Sequence, residues 1–124
     1  MPENWKSEPD EHDFPAALDY LSLLIPGPAA AELVALLRAA DLVHRKAKDI
    51  LRASGLPLLD ETDAHVRKDL HKAAHGTALS PVLLVRGGSH PILGTGALVI
   101  ADGYHRVCAS YHLGDDTDIP CRLA

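Results

Sequence analysis

A chain of 124 residues with 47% apolar content can bury a core of its own, on the order of two-thirds of its unfolded surface. Its net charge of −5, from 12 Lys and Arg against 17 Asp and Glu, argues against a strong direct grip on nucleic acid, and no long basic stretch offsets it. Two cysteines, Cys108 and Cys121, make no disulfide framework, and no leader-like start or 18-residue apolar run is present. The expectation is a cytoplasmic protein with reduced thiols and no membrane partner.

Residues 1–13 are expected to form an acidic flexible tail, with five acidic residues against Lys6 alone. Leu18, Leu21, Leu24 and Ile25 recur at helical spacing after Pro15, and Pro26-Gly27-Pro28 breaks the pattern. Pro28 suits the first turn of a second helix, whose Leu33, Leu36 and Leu37 form an apolar stripe. A third helix is expected over about 41–53, apolar at Leu42, Ile50 and Leu51 and closed by Gly55. Arg45, Lys46, Lys48 and Arg52 make it the most basic stretch, either a solvated face or part of an anion-binding surface. Residues 14–55 thus form a helical segment. Its leucine stripes are buried against the rest of the chain or against a second copy in a homodimer.

The pattern changes at residue 56. Leu56-Pro57-Leu58-Leu59 suits a short strand, and Asp60-Glu61-Thr62-Asp63 supplies caps for a helix over about 64–75 that Gly76 ends. Strands follow at 81–85 and 97–101, with Gly94 and Gly96 in the connection. Tyr104 to Leu113 is a helix stopped by Gly114, and 119–123 a closing strand that Pro120 marks as an edge.

The most informative stretch is Asp102-Gly103-Tyr104-His105-Arg106, between a strand and a helix start. Such a junction exposes unpaired backbone N–H groups at the positive end of the helix dipole. Gly103 lets the backbone approach a ligand, and His105 and Arg106 add donors in the first turn. Asp102 suits a helix cap, a metal ligand or a base for a hydroxyl nucleophile. The bland alternative is an ordinary cap with two solvated basic residues.

Strand, hairpin, strand and this turn, preceded by an acidic turn, a helix and Ser80-Pro81-Val82-Leu83-Leu84-Val85, resemble the ParB/sulfiredoxin-like superfamily over about residues 56–124. The resemblance implies an α+β fold, a small mixed sheet with flanking helices, here preceded by the N-terminal helical segment. It also implies a nucleotide (ATP, ADP or CTP, with Mg²⁺) whose phosphates lie on Gly103, Tyr104, His105 and Arg106. Asp102, Glu61 and His105 then match positions implicated in catalysis. The helix carrying His65, Lys68 and Lys72 would border the nucleotide, although a solvated face explains the same residues. Tyr104 stands where sulfiredoxins carry their cysteine, which argues against sulfinic acid reduction.

No metal-ligand set is assigned. His71 and His75 share the spacing of zinc-binding helices, but Lys72 replaces the general-base Glu and no third ligand is indicated, so capping explains them better. Cys108 and Cys121 are expected as small core residues, with a redox pair as the alternative. The functional expectation is a nucleotide-binding protein, either a phosphotransferase or nucleotide hydrolase. The alternatives are a nucleotide-responsive adaptor without turnover and a DNA-associated ParB-like protein acting through a partner.

Overall fold

Val82 to Val85 are four apolar residues in succession, and strand alternation turns Val82 and Leu84 to one side and Leu83 and Val85 to the other. Such a strand is stable only if both sides are covered. A computed structural model of the chain describes residues 4–93 and 96–124, and it supplies that cover. In chain order the elements are α1 (Asp13–Leu21), α2 (Gly27–Ala39), β1 (Leu42–Lys46), α3 (Ala47–Ser54), α4 (Ala64–Ala74), β2 (Val82–Val85), β3 (Val99–Asp102), α5 (Tyr104–Leu113) and β4 (Asp118–Leu123). The class is α+β.

The strands form one mixed sheet in the order β1-β4-β2-β3. β1 pairs with β4 antiparallel, β4 with β2 parallel, and β2 with β3 antiparallel, with an irregularity between Leu83 and Leu84. On one face Leu83, Val85 and Ala101 meet Phe14, Ala17 and Leu21 of α1 and Leu33, Val34 and Leu37 of α2. On the other, Val82, Leu84, Ile100, Ile119 and Cys121 meet Ile50 and Leu51 of α3, Val66 of α4 and Val107 and Cys108 of α5. The leucine stripes are therefore mostly buried against the sheet. Leu24 lies beyond the end of α1 and Leu36 on the outer side of α2, and both stay exposed.

Several elements form as their local chemistry dictates. Asp63 caps α4 by accepting from the backbone N–H groups of His65 and Val66. Gly55 closes α3 at φ 69°, where a side chain would be strained. Arg122 donates to the carbonyls of Leu37 and Arg38 and so satisfies the end of α2 from a neighbouring strand.

Four expectations are corrected. The helix expected over 41–53 is β1 followed by α3, because Leu42–Lys46 find a five-residue partner in β4 and tertiary pairing overrides local helix propensity. Leu56–Leu59 form no strand. Their carbonyls instead hold side chains, Pro57 that of Tyr104 and Leu59 that of His112. Pro120 is interior rather than at an edge. It faces His44 of β1 but precedes Cys121, the first β4 residue paired with β2, so it removes no rung of that ladder. Residues 4–13 lie along the body instead of standing off it. Asn4 and Lys6 exchange backbone hydrogen bonds with Leu79, both at 2.8 Å, and Asp13 is only 2% exposed. Residues 1–3 of that segment, and Gly94, lie outside the described residues.

Because β2 is sealed on both faces, Leu84→Ala is expected to cost about 2–5 kcal/mol in urea denaturation, whereas Leu36→Ala on the open side of α2 should stay within about 0.5 kcal/mol.

Candidate functional site

β3 ends at Asp102 and α5 begins at Tyr104, with Gly103 between them at φ 106°. A Cβ on Gly103 would lie 2.5 Å from Val82 Cγ1 and 2.9 Å from Arg106 Nη2. Only glycine fits that approach of the turn to β2. No side chain caps the first turn of α5, so its leading N–H groups remain open to a ligand.

Asp102 does not act as the cap, because its carboxylate accepts from Arg106 Nη2 at 3.0 Å. The same nitrogen lies 3.5 Å from Asp13 Oδ2 at the start of α1. The Ser80 hydroxyl also donates to Asp13 Oδ2, and it accepts from the backbone N–H of Asp10 at 2.9 Å. Asp13 and Ser80 are buried, and Arg106 Nε has no partner among the described residues. Burial pushes the Asp102 carboxyl above its ordinary range, against the pull of Arg106, and the neighbouring Asp13 adds to the rise.

Beside this pair opens a cavity of about 190 Å³ lined by His65, Lys68, Asp69, Lys72, Asp102, Gly103, His105 and Arg106. His65, Lys68, Asp69 and Lys72 come from one face of α4, at the i, i+3, i+4, i+7 spacing of a helix. The rings of His65 and His105 meet at 4.6 Å across the cleft. Asp69 is 9% exposed and makes no hydrogen bond among the described residues, and its burial raises its carboxyl against the attraction of Arg106 and Lys72.

On the other side of the same turn lies a larger, mostly apolar cavity of about 400 Å³. Ala16, Tyr20, Leu56, Ile100 and Tyr104 contribute to it, and Asp102, Gly103 and His105 line both cavities. The Tyr104 hydroxyl is anchored on the Pro57 carbonyl, which leaves its ring as a wall.

Of the site residues expected from the sequence, Asp102, Gly103, His105 and Arg106 therefore line one cleft, and Tyr104 flanks it. Glu61 is elsewhere. It is exposed, lies 3.5 Å from His112 Nδ1 and lines neither cavity. Asp13, Ser80 and Asp69 were not expected. Asp69 was within reach of sequence, since it shares the α4 face with His65, Lys68 and Lys72. Asp13 and Ser80 carry no local signal.

Outside the cleft, His75 is the C-cap of α4 and its Nδ1 lies 2.9 Å from the His71 carbonyl oxygen, an arrangement of capping and not of chelation. Cys108 and Cys121 are both free and buried, and burial pushes the Cys121 thiol up to about 11. One group among the described residues offers metal-ligating atoms within 4.8 Å of one another: Asp10, His12 and Asp13. Lys6 already holds Asp10 at 2.6 Å. Comparisons with protein-family models, curated proteins and solved structures returned no match to this chain.

Gly103→Ala must adopt a left-handed backbone and displace Val82, so a stability loss of at least about 2 kcal/mol is expected in chemical denaturation. Asp69→Asn has a signed pH dependence. The folded carboxyl is raised, so its ionised form opposes folding at neutral pH, and the variant should melt higher than the parent at pH 7. That advantage should shrink as pH falls through the folded pKa and vanish below the unfolded value of about 3.9, which thermal melts across pH would follow.

Proposed function

We propose that the chain binds a nucleotide at the β3–α5 turn, with phosphates in the basic cleft and the base against the apolar cavity. The observation that carries the reading is the convergence of Arg106, Lys68, Lys72, His65 and His105 on one cavity beside an uncapped helix start. Anions are favoured there by N–H groups and helix dipole together, and guanidinium and ammonium groups add charge-assisted bonds. The apolar cavity shares Asp102, Gly103 and His105 with that cleft, so one ligand can span both. The resemblance of the Asp-Gly-Tyr-His-Arg turn to ParB/sulfiredoxin-like proteins supports the same assignment.

As a phosphotransferase or hydrolase, the chain would use Arg106, Lys68 and Lys72 to hold and neutralise phosphate oxygens while Asp102 orients the attacking hydroxyl. Mg²⁺ takes one or two carboxylates together with phosphate oxygens, and Asp102 and Asp69 are the carboxylates that line the cleft. A nucleotide-responsive adaptor without turnover is the second reading. It is favoured by the commitment of Asp102 to Arg106 and by the distant placement of Glu61, the two carboxylates expected to act near the nucleophile.

Calorimetric titration with ATP, ADP, GTP and CTP in Mg²⁺ tests the assignment. One nucleotide should bind selectively, and Lys72→Ala should weaken it about tenfold, the loss of one charge-assisted hydrogen bond. Arg106→Lys, which keeps the charge opposite Asp13 and Asp102 but loses the fork, should weaken it as well. Asp102→Asn should bind and, if there is turnover, abolish it. Unchanged affinity in both the Lys72 and Arg106 variants would remove the site from the cleft.

A further inference from the structure

A third cavity lies away from the β3–α5 turn, on the α3 side of the sheet, and has about 240 Å³ of space. Ile50 and Leu84 form its floor at 2% and 1% exposure, and Ala53, Leu98 and Leu123 form its walls. The walls are pinned by backbone hydrogen bonds. Leu98 N–H donates to the Ala53 carbonyl at 2.9 Å, and Arg86 N–H donates to the Ala124 carbonyl at 2.8 Å. These bonds tie together backbone on either side of the cavity.

Two arginines line this apolar space, Arg45 from β1 and Arg86 from the residue after β2. Neither has a carboxylate partner among the described residues. The one acid lining the cavity, Asp49, is engaged by Arg52 at 3.1 Å. By contrast, Arg38 is paired with Glu11 and Lys48 with Asp116. An apolar floor with two uncompensated guanidiniums at its rim is complementary to a ligand with a hydrophobic body and an anionic head. Size narrows the class. An apolar cavity of about 150 Å³ holds benzene, so this one suits a single ring or branched chain plus a carboxylate.

We propose that this cavity is a second ligand site, specific for a small hydrophobic carboxylate whose head is held between Arg45 and Arg86. It stands apart from the nucleotide reading, sharing none of the residues of the β3–α5 cleft.

Phenylacetate is the probe, with phenylacetamide and acetate as controls, followed by calorimetry and by NMR of the leucine methyls. Phenylacetate should bind saturably and shift the methyl signals of Leu84, Leu98 and Leu123. The amide, which lacks the charge, and acetate, which lacks the ring, should each bind at least about tenfold more weakly. Arg45→Ala and Arg86→Ala should each cost about tenfold, and Ala53→Leu, which fills the cavity without changing charge, should abolish binding. Lys72→Ala should leave phenylacetate affinity unchanged, which separates this site from the phosphate cleft. The proposal is overturned if phenylacetate fails to saturate, if the amide binds as well as the acid, or if both arginine variants keep the parental affinity.

Discussion

One guanidinium, that of Arg106, holds together parts of the chain that are far apart in sequence. It binds Asp102 at the end of β3 and reaches Asp13 at the start of α1, and Asp13 is tied through the Ser80 hydroxyl to the Asp10 backbone. The turn, the N-terminal segment and the entry to β2 are thereby fixed against one another. Buried charge of this kind is sensitive to the loss of any member, since removing one partner of such a pair leaves an uncompensated charge costing on the order of 3–5 kcal/mol. The same side chain also bounds the Gly103 position, since a Cβ there would come within 2.9 Å of Arg106 Nη2.

That arrangement shapes what the cleft can do. Asp102 and Asp13 already occupy part of the Arg106 fork, so on the proposed nucleotide reading an incoming anion would meet a partly neutralised cation and would gain most from Lys68, Lys72 and the uncapped start of α5. The raised carboxyls of Asp69 and Asp102 work in the same sense: as either takes up a proton, the cleft becomes more positive. On that reading anion affinity and proton uptake would be linked through these two carboxyls.

Much of this was visible in the residue order, and what was not has a common cause. Asp63 as a cap, Gly55 as a helix end, the apolar run of β2 and the start of α5 at Tyr104 are all set by neighbours within a few residues, so local rules find them. β1 was missed because Leu42–Lys46 carry no strong strand pattern and become a strand only opposite β4. The docking of residues 4–13 was missed for the same reason, since an acidic, proline-bearing stretch looks solvated until Leu79 and Ser80 offer it partners. In the site, the basic half was legible from the turn and from the spacing on α4. The Asp13–Ser80 half was not, because it exists only through contacts between distant segments.

The sheet order carries a consequence for how the chain is made. β4 comes last of the strands yet fills the slot between β1 and β2, so during synthesis those two strands emerge with no neighbour on the sides that will face it. Until β4 arrives, β1 exposes backbone that any other strand can template on, a state prone to mispairing between nascent chains. Arg45 and Lys46 place positive charge along that waiting strand, so two such strands brought side by side would repel. The same basic residues that make this stretch look like a solvated helix face thus act as gatekeepers for a strand that must wait for its partner.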